Sequence, residues 1–243
     1  MRFLSTRFAP ISFLLLAAAT ALAVGLAGPV QANPLNTWSI SCGADAGAIT
    51  RKGKVWTFRD SANKCTGGTF SQRAEIKTKD IAPNHRGDYV FETTVAMRSA
   101  SRERFDIFQI HDGRHGCAPP LKVEVLGDGR LSFDSAYKIG TAPGENCVPV
   151  RELNNVVSQG RIGRDGTPHQ LRIVLSFDGK SGFRVWVTLD GQQELSGAYA
   201  FVEGRNFFRS EHFYFKHGVY SKNRFDYALT STGMKVSRVR LAN

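Results

Sequence analysis

The chain has 243 residues, of which 42% are hydrophobic and 11% aromatic, and it carries a formal net charge of +11. No internal repeat, low-complexity tract or linker interrupts it, which excludes a repeat array and favours a single β-sandwich or barrel with its own core. The positive charge attracts polyanions such as nucleic acids, anionic glycans or membrane surfaces, but it does not indicate a fold.

The N-terminus has the three parts of a secretory signal peptide. Arg2 and Arg7 precede an apolar run over residues 11–27, and small residues lead up to Ala32. We predict cleavage after Ala32, which leaves one mature domain over residues 33–243, secreted or periplasmic and not membrane-bound. The alternative is an uncleaved anchor, because the apolar run is nearly long enough to span a bilayer. Without its two arginines the charge falls from +11 to +9, and export favours a glycan partner over nucleic acid.

All four cysteines lie in the predicted mature chain, at Cys42, Cys65, Cys117 and Cys147. An even count in an oxidising compartment predicts disulfides, for which three pairings are possible. We expect the sequence-local pairs Cys42–Cys65 and Cys117–Cys147, each of which would stabilise the fold by roughly 3 kcal/mol by constraining the unfolded chain. A metal site is the alternative, but no Cys-x-x-Cys spacing supports it.

Short runs with period-two alternation fill the mature chain. They cover residues 89–97, 121–126, 171–177, 183–189, 213–220 and 234–241, with turn signals that include Asp128-Gly129, Asp165-Gly166 and Asp190-Gly191. This pattern is typical of an all-β antiparallel sandwich, and Asp-Gly between two runs predicts a hairpin. Helical periodicity is nearly absent, apart from a short helix or lid that could form around residues 151–157.

Three segments place polar side chains on one strand face, because side chains two residues apart share a face. The sets are Arg73, Glu75 and Lys77; Gln109 and His111; and Tyr214, Lys216, Gly218 and Tyr220. Each set alone is also explained by an ordinary solvated face or, for the aromatic segment, by core packing. Their conjunction favours a site. His115, which follows a turn, and His217, which has the opposite parity, are predicted to lie outside it.

These segments resemble the three signature strands of family 7 polysaccharide lyases, the alginate lyases with a β-jelly-roll fold. The matching stretches are Arg73-Ala74-Glu75-Ile76-Lys77, Gln109-Ile110-His111 and Tyr214-Phe215-Lys216-His217-Gly218-Val219-Tyr220, in the family's order. The chain departs from the family at Ala74 and Lys77, where Ser or Thr and Arg are common, and at Ser221-Lys222, where Asn or Gln and then Gln usually follow the tyrosine. These departures concern the substrate more than the reaction, and related glucuronan-lyase-like jelly rolls are an alternative.

The resemblance implies one β-jelly roll with the signature strands adjacent on its concave sheet, and cleavage of an acidic polyuronate, alginate first, by β-elimination. Arg73, Gln109 and His111 would neutralise the uronate carboxylate, and Tyr220 would protonate the leaving oxygen. Either His111 or Tyr220 would take the C5 proton. In this family Ile110 tends to accompany guluronate-containing alginate.

The remaining polar residues receive supporting roles from the same resemblance. Glu75 would orient Arg73, while Lys77, Tyr214 and Lys216 would line the cleft or bind substrate. The expected partner is an anionic polysaccharide, the expected state a monomer, and no cofactor is needed because protein donors neutralise the carboxylate. No acidic cluster has calcium-ligand spacing, so no metal is expected.

Two other functions compete with the lyase. A glycoside hydrolase needs two carboxylates that flank the scissile bond, and the Glu-x-Asp-x-x-Glu signature of laminarinase-type sandwiches is absent. A noncatalytic jelly-roll module that binds acidic glycans would keep the fold and the basic face, but it has no reason to bring His, Gln, Arg and Tyr together.

Overall fold

The computed structural model describes residues 33–66, 68–140, 146–202 and 206–241. The predicted signal peptide, residues 1–32, lies outside the described residues. The described part contains no helix that is both long and apolar enough to cross a membrane.

Strands account for nearly all of the regular structure, which confirms the prediction of an all-β chain. They are β1 (Trp38–Ile40), β2 (Ile49–Lys52), β3 (Val55–Arg59), β4 (Gln72–Thr78), β5 (Arg86–Arg98), β6 (Phe105–His111), β7 (Leu121–Val125), β8 (Arg130–Asp134), β9 (Ala136–Lys138), β10 (Cys147–Pro149), β11 (Val157–Arg161), β12 (Asp165–Asp178), β13 (Phe183–Leu189), β14 (Gln192–Tyr199), β15 (Tyr214–Ser221) and β16 (Ala228–Val239). A 3-10 turn spans Pro34–Asn36, and α1 (Arg151–Asn154) falls where the short helix was expected.

Two seven-stranded antiparallel sheets form the sandwich. The first has the order β1-β4-β15-β6-β7-β8-β11 and the second the order β14-β13-β12-β5-β16-β3-β2, with β9 and β10 as a separate pair. The three strands with the polar faces, β4, β15 and β6, are neighbours in the first sheet, as predicted. Their order differs from the chain order, because β15 enters between β4 and β6.

The core lies between the sheets and follows the alternation of the sequence. In β5, Tyr89, Phe91, Val95 and Met97 are each at most 2% exposed, because every second side chain points inward. His217 lies on the same inward face of β15 as Phe215 and Val219 and is fully buried, which confirms that it lies outside the site. Its ring contacts Ile107 O through Nδ1 at 2.9 Å and Ser231 Oγ through Nε2 at 2.5 Å.

The predicted hairpins are present on both sides of the sandwich. Asp190 and Gly191 form a two-residue connection between Leu189 and Gln192, and their φ angles of +50° and +84° are those that a tight hairpin turn requires. Asp128-Gly129 also lies in a hairpin connection, the longer segment 126–129 between β7 and β8, where Gly129 has a φ of +88°.

Asp165-Gly166 is not a turn, contrary to our expectation. Both residues begin β12, which extends well beyond the predicted 171–177 run, and the register with β5 shifts between Asp165 and Pro168. The glycine at φ +92° therefore serves a β-bulge, a role that a sequence pattern does not distinguish from a turn.

Both sequence-local disulfides are present. The Cα atoms of Cys42 and Cys65 lie 5.3 Å apart, and those of Cys117 and Cys147 lie 5.6 Å apart. Each bridge ties down a loop beside the first sheet, next to the outward face of β4, β15 and β6.

Candidate active site

The register of the three central strands arranges the polar side chains in rows across the sheet. Tyr220 on β15 pairs with Arg73 on β4 and, after a register shift, with Asp106 on β6. Lys216 on β15 pairs with Lys77 on one side and Gln109 on the other. Pairs opposite each other in antiparallel strands share a face, so these side chains project together from the side of the sheet that faces away from the core.

A cavity of about 400 Å³ opens over these rows. Seven of the eight predicted site residues line it: Arg73, Lys77, Gln109, His111, Tyr214, Lys216 and Tyr220. The eighth, Glu75, is 1% exposed and lies below its floor. The structure therefore brings the predicted set together in one place.

Glu75 is the shared anion of this floor. It accepts a hydrogen bond of 2.6 Å from Gln109 Nε2, and its other carboxylate oxygen lies 3.5 Å from Arg73 Nε and 3.8 Å from Lys216 Nζ. Two cations and an amide that would otherwise be free to move are thus held by one buried carboxylate. That contact set fits a residue that orients its neighbours.

Gly218 lies opposite Glu75 on β15, the strand that separates Glu75 from Gln109. Gly218 pairs with Glu75 in the register and has a φ of +140°. A Cβ atom there would lie 2.2 Å from Ala74 O and 2.9 Å from Glu75 Cα, so any side chain would collide with the backbone of β4. Glycine at this position therefore allows β15 to pack against β4 beside Glu75.

Arg73 is held on three sides. Its guanidinium carbon lies 4.5 Å from the centroid of the Tyr220 ring, and one terminal nitrogen lies 3.6 Å from Cys42 Sγ. With the contact to Glu75 described above, this packing fixes the planar fork of donors that suits a carboxylate.

The phenolic oxygen of Tyr220 is surrounded by donors. The backbone N–H groups of Thr69 and Phe70 donate to it at 3.3 and 3.2 Å, and the Thr69 hydroxyl lies 3.3 Å away. The Phe70 ring stacks on the Tyr220 ring at 4.7 Å between centroids. Tyr220 is consequently 7% exposed and held rigidly at the cavity wall.

His111 has a defined tautomer in its neutral state. The backbone N–H of Gly113 donates to His111 Nδ1 at 3.1 Å, so the proton of the neutral ring resides on Nε2. Burial, followed by the positive charges of Lys216 and Arg114, holds the pKa of His111 well below its usual range. The ring stacks on Tyr214 at 5.2 Å, and it offers the cavity a neutral Nε2–H donor.

Burial also acts on the neighbours of His111. It lowers the pKa of Lys216, while Glu75 opposes that shift, and it raises the pKa of Tyr214, assisted by the negative charges of Glu75 and Asp80. Lys77 is exposed at the rim, with its ammonium 5.7 Å from the Tyr214 ring centroid.

A second charged cluster on this face was not anticipated from the sequence. Lys122 on β7 lies 3.2 Å from Asp106 and 3.1 Å from Asp134, and its ammonium is 4.8 Å from the Phe70 ring centroid. Burial raises the pKa of Asp106, while the positive charge of Lys122 opposes that shift. The alternation of β7 could have placed Lys122 outward, but only the strand order brings it beside Phe70.

The prediction that His115 lies outside the site is wrong, since this side chain lines the cavity. It belongs to the loop that carries Cys117, which forms the wall opposite Cys42 and Cys65. Arg114 anchors that loop: it is 3% exposed, lies 3.3 Å from Asp112 and donates to Ala118 O at 2.8 Å. The alternation of side chains between two faces applies to strands and not to turns, so the sequence does not predict which way the His115 side chain points.

The arrangement suits chemistry on a bound carboxylate. Arg73, Gln109 and His111 carry N–H donors in the lining of one cavity, and Tyr220 belongs to the same lining. Among the described residues, no group of three or more His, Cys, Asp or Glu side chains is placed to hold a metal ion.

No family model and no curated protein sequence matches the chain. Solved structures do. A family 7 alginate lyase, A1-II′, with one His-to-Asn and one Tyr-to-Phe replacement and in complex with substrate (GGMG), has a TM-score of 0.57 at 15% identity, covering 86% of this chain and 95% of its own. An alginate lyase from Alteromonas sp. 272 has a TM-score of 0.51 at 16% identity, with coverages of 84% and 95%. One from Corynebacterium sp. has 0.52 at 13%, with coverages of 84% and 95%. These similarities confirm the predicted jelly-roll fold.

Proposed function

We propose that this protein is an exported polysaccharide lyase that cleaves an acidic polyuronate, of the alginate type, by β-elimination to give unsaturated oligosaccharides. One observation carries the proposal: Arg73, Gln109, His111 and Tyr220 line the same cavity of a jelly roll whose structural neighbours are alginate lyases. The two disulfides fit an oxidising compartment outside the cytoplasm.

The reaction needs two things from the site. The C5 proton of a 4-linked uronate is removed, the C5–H electron pair forms the C4–C5 double bond, and the C4–O4 bond breaks with its electrons on O4, which takes up a proton. Negative charge moves onto the neighbouring carboxylate in the transition state, so donors fixed around that carboxylate lower the barrier. Arg73, Gln109 and His111 supply those donors without a metal.

Tyr220 carries out both proton transfers in this proposal. With Gly113 N–H on Nδ1 and a proton on Nε2, neutral His111 has no free lone pair to act as a base, whereas it can donate Nε2–H to the carboxylate. Tyr220 in its phenolate form takes the C5 proton and then delivers it to O4. The backbone N–H groups of Thr69 and Phe70 donate to this oxygen and would stabilise its negative charge during the cycle.

One residue can serve as both base and acid only when H5 and O4 lie on the same side of the C4–C5 bond. Mannuronate and glucuronate, with an axial H5 and an equatorial O4, meet this condition. Guluronate, whose H5 and O4 are both axial and anti, does not. The site geometry therefore favours mannuronate- or glucuronate-type polymers, whereas Ile110 favours guluronate through the family resemblance.

The neighbours supply further support. The A1-II′ structure with bound substrate carries replacements of one histidine and one tyrosine, the same residue types that we assign to the carboxylate donor and the base. A noncatalytic glycan-binding module would share the fold, but it would not need a tyrosine oxygen held by two backbone N–H groups at the edge of the donor cluster.

The test is an ultraviolet assay for unsaturated ends on a panel of polyuronates rich in mannuronate, guluronate or glucuronate, with a neutral β-glucan as control. The proposed function predicts growing absorbance on at least one polyuronate and none on the neutral polymer. Binding of the polyuronates without any new absorbance would identify a noncatalytic module instead.

A further inference from the structure

We propose that Asn63 is a positioning residue for catalysis: it holds the segment 68–70 so that two backbone N–H groups cradle the phenolate oxygen of Tyr220. This inference rests on the proposed lyase function and goes beyond it, because Asn63 belongs to none of the three signature strands and does not line the cavity.

The first step is the number of donors at one oxygen. Thr69 N, Phe70 N and the Thr69 hydroxyl all lie within 3.3 Å of the Tyr220 oxygen. A neutral phenol must donate its own proton as well as accept, whereas a phenolate only accepts. Two of these contacts are backbone N–H donors, and the Thr69 hydroxyl can either donate or accept. All three groups can therefore donate to a phenolate, which is the form that removes the C5 proton in the proposed mechanism.

The second step is what holds those donors. Asn63 Nδ2 donates to Phe70 O at 2.7 Å, and Asn63 Oδ1 accepts from Cys65 N at 3.1 Å. The backbone N–H of Asn63 also donates to Ser71 O at 2.9 Å. One side chain thus bridges the disulfide-bonded Cys65 and the residue whose N–H contacts Tyr220.

Gly68 shows how closely the segment fits around this side chain. A Cβ atom at Gly68 would lie 2.2 Å from Asn63 Nδ2 and 3.0 Å from Asn63 Cγ. Because both ends of the Asn63 amide are hydrogen-bonded, the side chain cannot yield without losing a bond. Gly68→Ala is therefore an independent way to displace the Asn63 side chain without substituting Asn63 itself.

The Cys42–Cys65 bridge extends the same support to the carboxylate donor. Cys42 Sγ lies 3.6 Å from a terminal nitrogen of Arg73, and the backbone N–H of Cys65 donates to Asn63 Oδ1. Arg73 and Tyr220, which are neighbours across β4 and β15, are thus both in contact with one disulfide-bonded loop. A misplacement of about 1 Å can lower the rate by about 10²-fold, so a small shift of this loop would lower kcat.

The experiment compares Asn63→Ala and Gly68→Ala with a matched control, Asn154→Ala. Asn154 also makes two side-chain bonds to backbone, both with Ser135 at 2.9 Å, but it lies in α1, outside the cavity lining. Steady-state kinetics on the best polyuronate and thermal unfolding are measured for all three variants. We expect kcat to fall by about 10- to 100-fold for the two loop variants, with KM changed less than about twofold, and kcat to stay near the parental value for Asn154→Ala.

A double-mutant cycle with Tyr220→Phe separates positioning from simple destabilisation. If Asn63 acts through the phenolate, Asn63→Ala lowers kcat no further once the hydroxyl is gone.

Three results would overturn the proposal: parental kcat in Asn63→Ala, a loss confined to KM, or an equal kcat loss in Asn154→Ala. If the loop variants unfold at the assay temperature, Thr69→Val provides the test. It removes only the hydroxyl contact to Tyr220 and should lower kcat while the fold persists, and a parental kcat in this variant would then overturn the proposal. A parent that cleaves none of the polyuronates would refute the proposed function, and this inference with it, whereas an active parent with an unaffected Asn63→Ala refutes this inference alone.

Discussion

Gln109 donates a 2.6 Å hydrogen bond to Glu75 although a whole strand separates the two residues. The intervening strand β15 has Gly218 opposite Glu75 and Lys216 opposite Gln109. It joins the amide that lines the cavity to the carboxylate that also contacts Arg73 and Lys216. The donors that we propose for a uronate carboxylate therefore include two that share one anion, and changes to Glu75 should affect both.

Glu75→Gln tests that shared contact. The amide keeps an acceptor oxygen for Gln109 but removes the negative charge beside Arg73 and Lys216, which are 6% and 4% exposed. Leaving buried cations without their partner is strongly unfavourable. We expect both a lower melting temperature and a fall in kcat/KM of at least about tenfold, measured by calorimetry and by the unsaturated-end assay. Glu92→Gln, at an exposed ion pair on the other sheet, is the control and should change neither quantity.

Tyr220→Phe should abolish most turnover while the protein stays folded. The substitution removes one hydroxyl and keeps the ring that stacks on Phe70 and Arg73. Proton transfer by a positioned side chain is typically worth about 10²- to 10⁴-fold, so kcat should fall by at least that order. Tyr227→Phe is the matched control, because its hydroxyl is buried without a hydrogen-bond partner among the described residues. Near-parental activity of Tyr220→Phe would show that another group transfers the proton.

Arg73→Ala should damage binding and turnover together. Its guanidinium would hold the uronate carboxylate in the ground state and in the transition state, so both KM and kcat are affected. Arg73→Lys should recover little, because an ammonium lacks the planar fork that engages a carboxylate with two bonds. Kinetics of the two variants, with equilibrium binding to a non-cleaved uronate oligomer, provide the measurement. An unchanged KM in Arg73→Ala would argue against a contact with the substrate carboxylate.

The choice of uronate should follow the proton geometry of the site. With Tyr220 as base and acid and His111 as donor, initial rates on mannuronate- or glucuronate-rich polymers should exceed the rate on guluronate-rich polymer by at least about tenfold. Elimination removes the C5 stereocentre that distinguishes mannuronate from guluronate, so initial rates on polymers of a single uronate, and not the unsaturated end, identify the residue that is cleaved. A clear preference for guluronate would require His111 to release its contact with Gly113 and act as the base.

Stability should depend on the buried imidazole of His217. Burial lowers the pKa of His217 to about 4, so the unfolded chain binds this proton before the folded protein does. The contribution of neutral His217 to the free energy of unfolding is fully present above the histidine pKa of the unfolded chain, near 6.5. It is lost, by roughly 3 kcal/mol, as the pH falls from there to about 4. Denaturant unfolding of the parent and of His217→Gln across this range should show a difference that shrinks as the pH falls. A pH-independent difference would contradict the assignment.

The sequence alone was sufficient for the all-β class and for the strand residues that line the candidate site, because both depend on local rules. Period-two alternation places Arg73, Glu75 and Lys77 on one face whatever the strand pairs with, and it sends His217 inward beside Phe215 for the same reason. Asp-Gly signals located the hairpin at Asp190-Gly191. The same logic misread Asp165-Gly166, since a glycine with positive φ serves a bulge as well as a turn.

Only the tertiary structure decided which faces meet. That β15 lies between β4 and β6 is a matter of long-range pairing, and it is this order that sets Tyr220 beside Arg73 and lets Glu75 reach Gln109 across β15. The loop donors at Thr69 and Phe70, the support from Asn63 and the position of His115 have no periodic signal at all. Loop backbones are positioned by specific hydrogen bonds and disulfides, and these exist only once distant segments have packed together.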